Sequence, residues 1–127
     1  MFKRNSIKSG AISTLIGAHT TVQGNLEFAG GCHVDGRVVG NVTTAAGAQG
    51  FLSVSEQGAV EGSVEVAQVL LNGLVNGDIL ARERVELGPK ARVMGNVQYA
   101  IIEMALGAEI NGKLIHLAPA KAEDAKA

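Results

Sequence analysis

Six times along the chain an apolar residue, a spacer, a glycine, a second spacer and another apolar residue follow one another. No other feature limits the fold as tightly. The copies are Val22-Gln-Gly24-Asn-Leu26, Val38-Val-Gly40-Asn-Val42, Val60-Glu-Gly62-Ser-Val64, Val75-Asn-Gly77-Asp-Ile79, Val93-Met-Gly95-Asn-Val97 and Ile110-Asn-Gly112-Lys-Leu114. Their glycines lie 16, 22, 15, 18 and 17 residues apart. Secondary copies stand between them, at Val34-Asp-Gly36-Arg-Val38 and Leu71-Asn-Gly73-Leu-Val75.

A finer step of six runs inside the repeat: Ile16, Val22, Phe28 and Val34; Val54, Val60 and Val66; Leu87, Val93 and Tyr99. Short runs such as Val64-Glu-Val66 and Val85-Glu-Leu87 alternate apolar with polar residues, which places one strand face inward. Three such strands joined by tight corners make one winding of about 17–18 residues. Glycine belongs at the corners because the chain turns there at positive φ, where a Cβ clashes. The Asn or Asp that follows in Gly40-Asn41, Gly77-Asp78 and Gly95-Asn96 tolerates the same backbone. An amphipathic helix is excluded, since steps of two and six do not follow a 3.6-residue period and each internal Gly costs about 1 kcal/mol. A β-sandwich would need longer strands, with turns every 8–12 residues or so.

Composition agrees with stacked windings. The chain of 127 residues is 46 % apolar, yet has 17 Gly, only three Phe, one Tyr and no Trp. Parallel, in-register stacking makes each interior layer a ladder of Val, Ile and Leu, with little room for rings. The 22-residue interval contains Thr43-Thr-Ala-Ala-Gly-Ala-Gln-Gly50, which is expected to bulge from one corner. Residues 1–13 and the alanine-rich, charged run 118–127 lie outside the repeats and are expected to be disordered tails.

Little catalytic chemistry is visible. His19, His33 and His116 are far apart in sequence, with no acid or cysteine at metal-ligand spacing. No glycine-rich loop ends in Gly-Lys-Ser or Gly-Lys-Thr, so neither nucleotide nor another cofactor is expected. A formal charge of −1, without basic residues interleaved with aromatics, argues against nucleic acid as a partner. The single Cys32 has no partner for an internal disulfide and fits a small buried hydrophobe in a reducing cytoplasm. No run approaches the roughly 18 apolar residues of a membrane-spanning helix. Met1-Phe2-Lys3-Arg4 and Lys8 form a basic start with one aromatic, fit for weak attachment to an anionic lipid surface that an array of copies would strengthen.

Hexapeptide-period solenoids also occur as trimeric, left-handed acyltransferase-like or carbonic-anhydrase-like enzymes, and this is the alternative function. Here the hexads drift, and no helix follows the last repeat to cap the stack. Uncapped terminal windings expose strand edges and core layers, which template the addition of another copy.

The opening Thr14-Leu-Ile-Gly-Ala-His-Thr-Thr-Val-Gln-Gly24-Asn-Leu, with Val34-Asp-Gly36-Arg-Val38-Val-Gly40-Asn-Val42, resembles the start of the bactofilin domain. Leu106-Gly-Ala-Glu-Ile110-Asn-Gly112 is similar to its closing windings. The resemblance spans residues 14–117 and implies an all-β fold: a single-stranded, right-handed parallel β-helix of triangular section with about six windings. It further implies a non-enzymatic cytoskeletal scaffold that self-assembles into non-polar, nucleotide-independent filaments. Such filaments lie at the cytoplasmic face of the inner membrane and recruit cell-wall enzymes or other morphogenesis factors. Met1, Phe2, Lys3, Arg4 and Lys8 then correspond to a membrane-targeting segment. Ile16 and Val22 at one end, and Ile110, Leu114 and Leu117 at the other, are the expected polymer interface. Family members often carry Phe in the last winding, where Ile110 stands here.

Overall fold

Alternation of β-branched and polar residues over three to five positions, broken by Gly-Asn pairs, produces short strands. The computed structural model describes residues 12–45 and 49–117, and every element in them is β-strand. In chain order these are β1 (Ile12–Ile16), β2 (Thr21–Gln23), β3 (Leu26–Phe28), β4 (Gly30–Val34) and β5 (Arg37–Val39). β6 (Val42–Thr44), β7 (Gly50–Val54), β8 (Ala59–Glu61), β9 (Val64–Leu71) and β10 (Leu74–Asn76) follow. The chain closes with β11 (Ile79–Leu87), β12 (Arg92–Met94), β13 (Val97–Met104), β14 (Glu109–Asn111) and β15 (Leu114–His116). The expected all-β parallel solenoid of about six windings is the fold observed. β1 starts at Ile12, so the solenoid takes in two residues that the repeat pattern assigns to the leading tail.

Every strand pairs in parallel with its counterpart one winding away, giving three faces. Face A is the sheet β2-β5-β8-β10-β12-β14. Face B runs through β3, β6, the first halves of β9, β11 and β13, and then β15. Face C runs through β1, β4, β7 and the second halves of β9, β11 and β13. The six-residue step in the sequence is the passage from one face to the next. Val54, Val60 and Val66 lie on faces C, A and B and are all fully buried.

In-register pairing builds the interior from aliphatic ladders. Val22, Val38, Val60, Val75, Val93 and Ile110 stack on face A. Leu26, Val42, Val64, Ile79, Val97 and Leu114 stack on face B. Among the described residues no polar or charged side chain is buried, so the interior is dry. Cys32 is inside it with no exposure, and burial pushes its thiol pKa up from 9.0 to about 11.

The unequal repeat lengths resolve into corners. Between faces A and B the corner is always a pair: Gly24-Asn25, Gly40-Asn41, Gly62-Ser63, Gly77-Asp78, Gly95-Asn96 or Gly112-Lys113. Between faces C and A it is either two residues long (Asp35-Gly36, Asn72-Gly73) or four (17–20, 55–58, 88–91, 105–108). The secondary repeats of the sequence are the two short corners. Between faces B and C it holds one residue (Ala29, Ala67 or Ala100), the pair Arg82-Glu83, or the longer stretch from Ala45 to Gln49. Of the bulge expected over Thr43–Gly50, Thr43 and Thr44 lie on β6 and Gly50 on β7, and residues 46–48 lie outside the described residues.

Candidate functional site: the ends and face C of the solenoid

A ladder position in an end winding has a neighbouring described winding on one side only. In the last winding Met104 follows Leu87 and Leu114 follows Val97, yet each is 47 % exposed, against 2 % or less for those inner neighbours. Ile102 and Ile110 are half-buried. Leu106 is 96 % exposed, at a corner where earlier windings carry Ala18, Glu56 and Pro89. At the first winding, Val22 and Leu26 are half-buried, while Ile16 is only 5 % exposed and is a core residue within this chain. Leu117 is half-buried and its N–H donates to the Tyr99 carbonyl at 2.6 Å.

Of the expected interface residues, Val22, Ile110, Leu114 and Leu117 lie at the two ends; Ile16 lies on β1, the outermost described strand of face C, yet is buried. Sequence reasoning missed Met104 and Leu106. Met104 is found by extending the ladder Ile16, Val34, Val54, Leu71, Leu87 by one winding. Leu106 carries no such periodic signal. Met1, Phe2, Lys3, Arg4 and Lys8 lie outside the described residues.

A polar ladder crosses the glycine corners. The Asn25 side-chain oxygen accepts from the Asn41 N–H at 3.0 Å, and that of Asn41 from the Ser63 N–H at 3.0 Å. Asp78 and Asn96 do the same for Asn96 and Lys113, at 2.9 and 3.0 Å. In the last winding Lys113 replaces the acceptor with a cation, so the ladder stops there.

The outer surface carries ion pairs from one winding to the next. Arg37 pairs with Glu61, Arg82 with Glu65 (3.8 Å) and Arg92 with Glu109 (3.5 Å). Arg84 is shared by Glu86 (2.8 Å) and Glu103. Exposed pairs contribute about 0–1 kcal/mol each.

His33 on β4 lies 3.0 Å from the Ser53 hydroxyl through Nδ1 and 3.0 Å from Asp35 through Nε2. A hydrogen bond from Ser55, then the His33 neighbour, hold the Asp35 carboxyl below its usual range. Serine, histidine and aspartate in line is a hydrolytic pattern. Here it lies on a sheet surface, where β7 pairs with β4 on one side and β9 on the other. Its backbone amides serve those ladders instead of forming an oxyanion hole. His19 is exposed, and His116 contacts the Ala100 carbonyl and the Tyr99 ring.

Comparison with known proteins converges on one family. Residues 14–115 match the family model described as bactofilin, polymer-forming cytoskeletal. The chain is 30 % identical over 112 residues to bactofilin BacP of Myxococcus xanthus, covering 88 % of this chain and 45 % of BacP. It is 29 % identical over 102 residues to bactofilin BacO of the same organism, covering 80 % of this chain and 78 % of BacO. The chain thus spans under half the length of BacP. A Thermus thermophilus bactofilin, reconstructed by cryo-EM in double helical filaments, superposes with a TM-score of 0.74. It is 31 % identical, and the match covers 82 % of this chain and 99 % of that one.

Proposed function

The chain belongs to the bactofilin family of polymer-forming cytoskeletal proteins, and on that premise we propose that it assembles end to end into non-polar filaments without nucleotide. The exposed aliphatic rungs Met104 and Leu114 carry this reading. Each continues a ladder whose inner rungs are dry, so burying it against another copy recovers the transfer free energy of a core side chain, about 1.5–3 kcal/mol per residue. Ile110 and Leu106 enlarge the patch, and Val22 with Leu26 offers a smaller one at the opposite end. The Thermus relative forms double helical filaments, which supports the same mode here.

The filament is further proposed to lie at the cytoplasmic face of the inner membrane. Met1, Phe2, Lys3, Arg4 and Lys8 supply one aromatic wedge and three cations per copy, weak singly and strong in an array. There it serves as a scaffold for cell-wall enzymes or other morphogenesis factors. The test is negative-stain microscopy of the purified full chain with no nucleotide added. Extended filaments are expected at micromolar protein. Discrete particles at every concentration would overturn the proposal.

A further inference from the structure

Face C holds two adjoining hollows, of which only the second reaches an end rung, Met104. One, of about 290 Å³, is lined by Phe51, Gln68, Leu70, Arg84 and Glu86. The next, of about 310 Å³, shares Leu70 and Glu86 and continues to Glu103 and Met104. The surroundings are acidic: the Arg84 guanidinium faces both Glu86 and Glu103, and Glu83 alongside accepts from the Gln68 amide. One cation thus stands among three carboxylates. The imbalance is general, because residues 12–117 hold ten Asp and Glu against six Lys and Arg, a net of −4. Residues 1–11 hold Lys3, Arg4 and Lys8 and no acid.

The chain also enters at the right place. Ile12 pairs with Gly31 on face C, and the same row continues through Phe51 and Gln68 to Arg84. Those four strand spacings amount to about 19 Å, whereas the ten residues from Phe2 to Ala11 reach up to about 33 Å when extended. An aromatic followed by two cations matches a mixed hollow in which Phe51 and Leu70 offer apolar wall and Glu86, with Glu83 and Glu103 nearby, offers negative charge.

We propose that residues 2–8 fold back along face C of their own chain, with the Phe2 ring in the Phe51–Leu70 hollow and Lys3 and Arg4 against Glu83, Glu86 and Glu103. This is a contact within one copy and needs no filament. Its consequence rests on the membrane reading of the same segment. A chain whose start is held on face C cannot place it in lipid, so the solenoid and an anionic surface compete for one peptide.

The test is zero-length carbodiimide coupling of the full chain, prepared as an equal mixture of isotopically light and heavy protein and mapped by mass spectrometry. Links from Lys3 or Lys8 to Glu83, Glu86 or Glu103 are expected within single isotopic copies. Their yield should fall about fivefold or more in roughly 0.5 M NaCl, where the Debye length is about 4 Å, and likewise on adding phosphatidylglycerol vesicles. The double substitution E86Q/E103Q should also reduce the remaining link to Glu83. Three results would overturn the proposal: mixed-isotope links, which place the segment on a neighbouring copy; links to Glu27, which place it at the first winding; or no link from Lys3 or Lys8 while Lys90 and Lys113 couple. Filaments seen in the same samples report on assembly separately. Vesicle-insensitive links would sink the competition while leaving the contact intact.

Discussion

Gly62 turns at φ 148°, and a Cβ there would fall 2.1 Å from the Gly40 carbonyl oxygen one winding away. Gly24 turns at φ 121°, but no atom lies within 4 Å of its would-be Cβ, since no described winding lies against it there. The two positions separate backbone strain from steric collision. Gly24→Ala should cost about 1 kcal/mol and Gly62→Ala about 3 kcal/mol or more, read as the difference in their thermal or denaturant midpoints. The turn is legible in the sequence, because Gly-Asn between apolar residues signals positive φ. The contact with the carbonyl of the adjacent winding is not, because it exists only after stacking. Cys32 gives a second prediction. Below pH 9 folded and unfolded chains both hold the thiol protonated; between pH 9 and about 11 the unfolded chain ionises first, so stability should decline with pH there. Denaturant titrations across that window check this against a Cys32→Ala control, which should lack the decline.

At the level of strands and corners, the side-chain ladder of Asn25 and Asn41 halts at Ser63 and resumes at Asp78. The Ser63 side chain is too short to repeat the bridge. Asn41→Ala removes an acceptor from the Ser63 amide and should cost about 1 kcal/mol. Ser63→Asn should close the gap and raise the unfolding midpoint, and an unchanged midpoint would mean the ladder contributes nothing to stability. This level also shows how far the sequence could be read. The glycine intervals of 15 to 22 look like drift, yet the strand segments of faces A and B and the glycine corner between them never change length. The variation lies on face C and in the two corners that flank it, one of which the secondary copies Asp35-Gly36 and Asn72-Gly73 already announced. The extra residues between β6 and β7 were legible from the 22-residue glycine interval alone. Which outward side chains meet across windings, as Phe51, Leu70 and Arg84 do, depends on register and was not. The seat of Leu106 was equally hidden, because corner residues obey no period.

For the whole molecule the proposed end-to-end contact rests on the exposed terminal rungs. Leu114→Arg or Ile110→Arg would trap a cation between stacked copies and should abolish pelletable filaments, leaving a folded particle with an almost unchanged melt. Filaments that persist in both variants would move the contact elsewhere. Deleting residues 2–8 should free the protein from anionic liposomes in co-sedimentation while microscopy still finds filaments. Continued pelleting with lipid, under conditions where filaments alone do not pellet, would remove that segment from the membrane role. The constant corner from Gly24-Asn25 to Gly112-Lys113 carries a further meaning. Because insertions fall on the other two edges, a long assembly of such units would own one smooth keel and two decorated flanks. Evolution can then redesign what hangs from the flanks without disturbing the line along which the keel is laid.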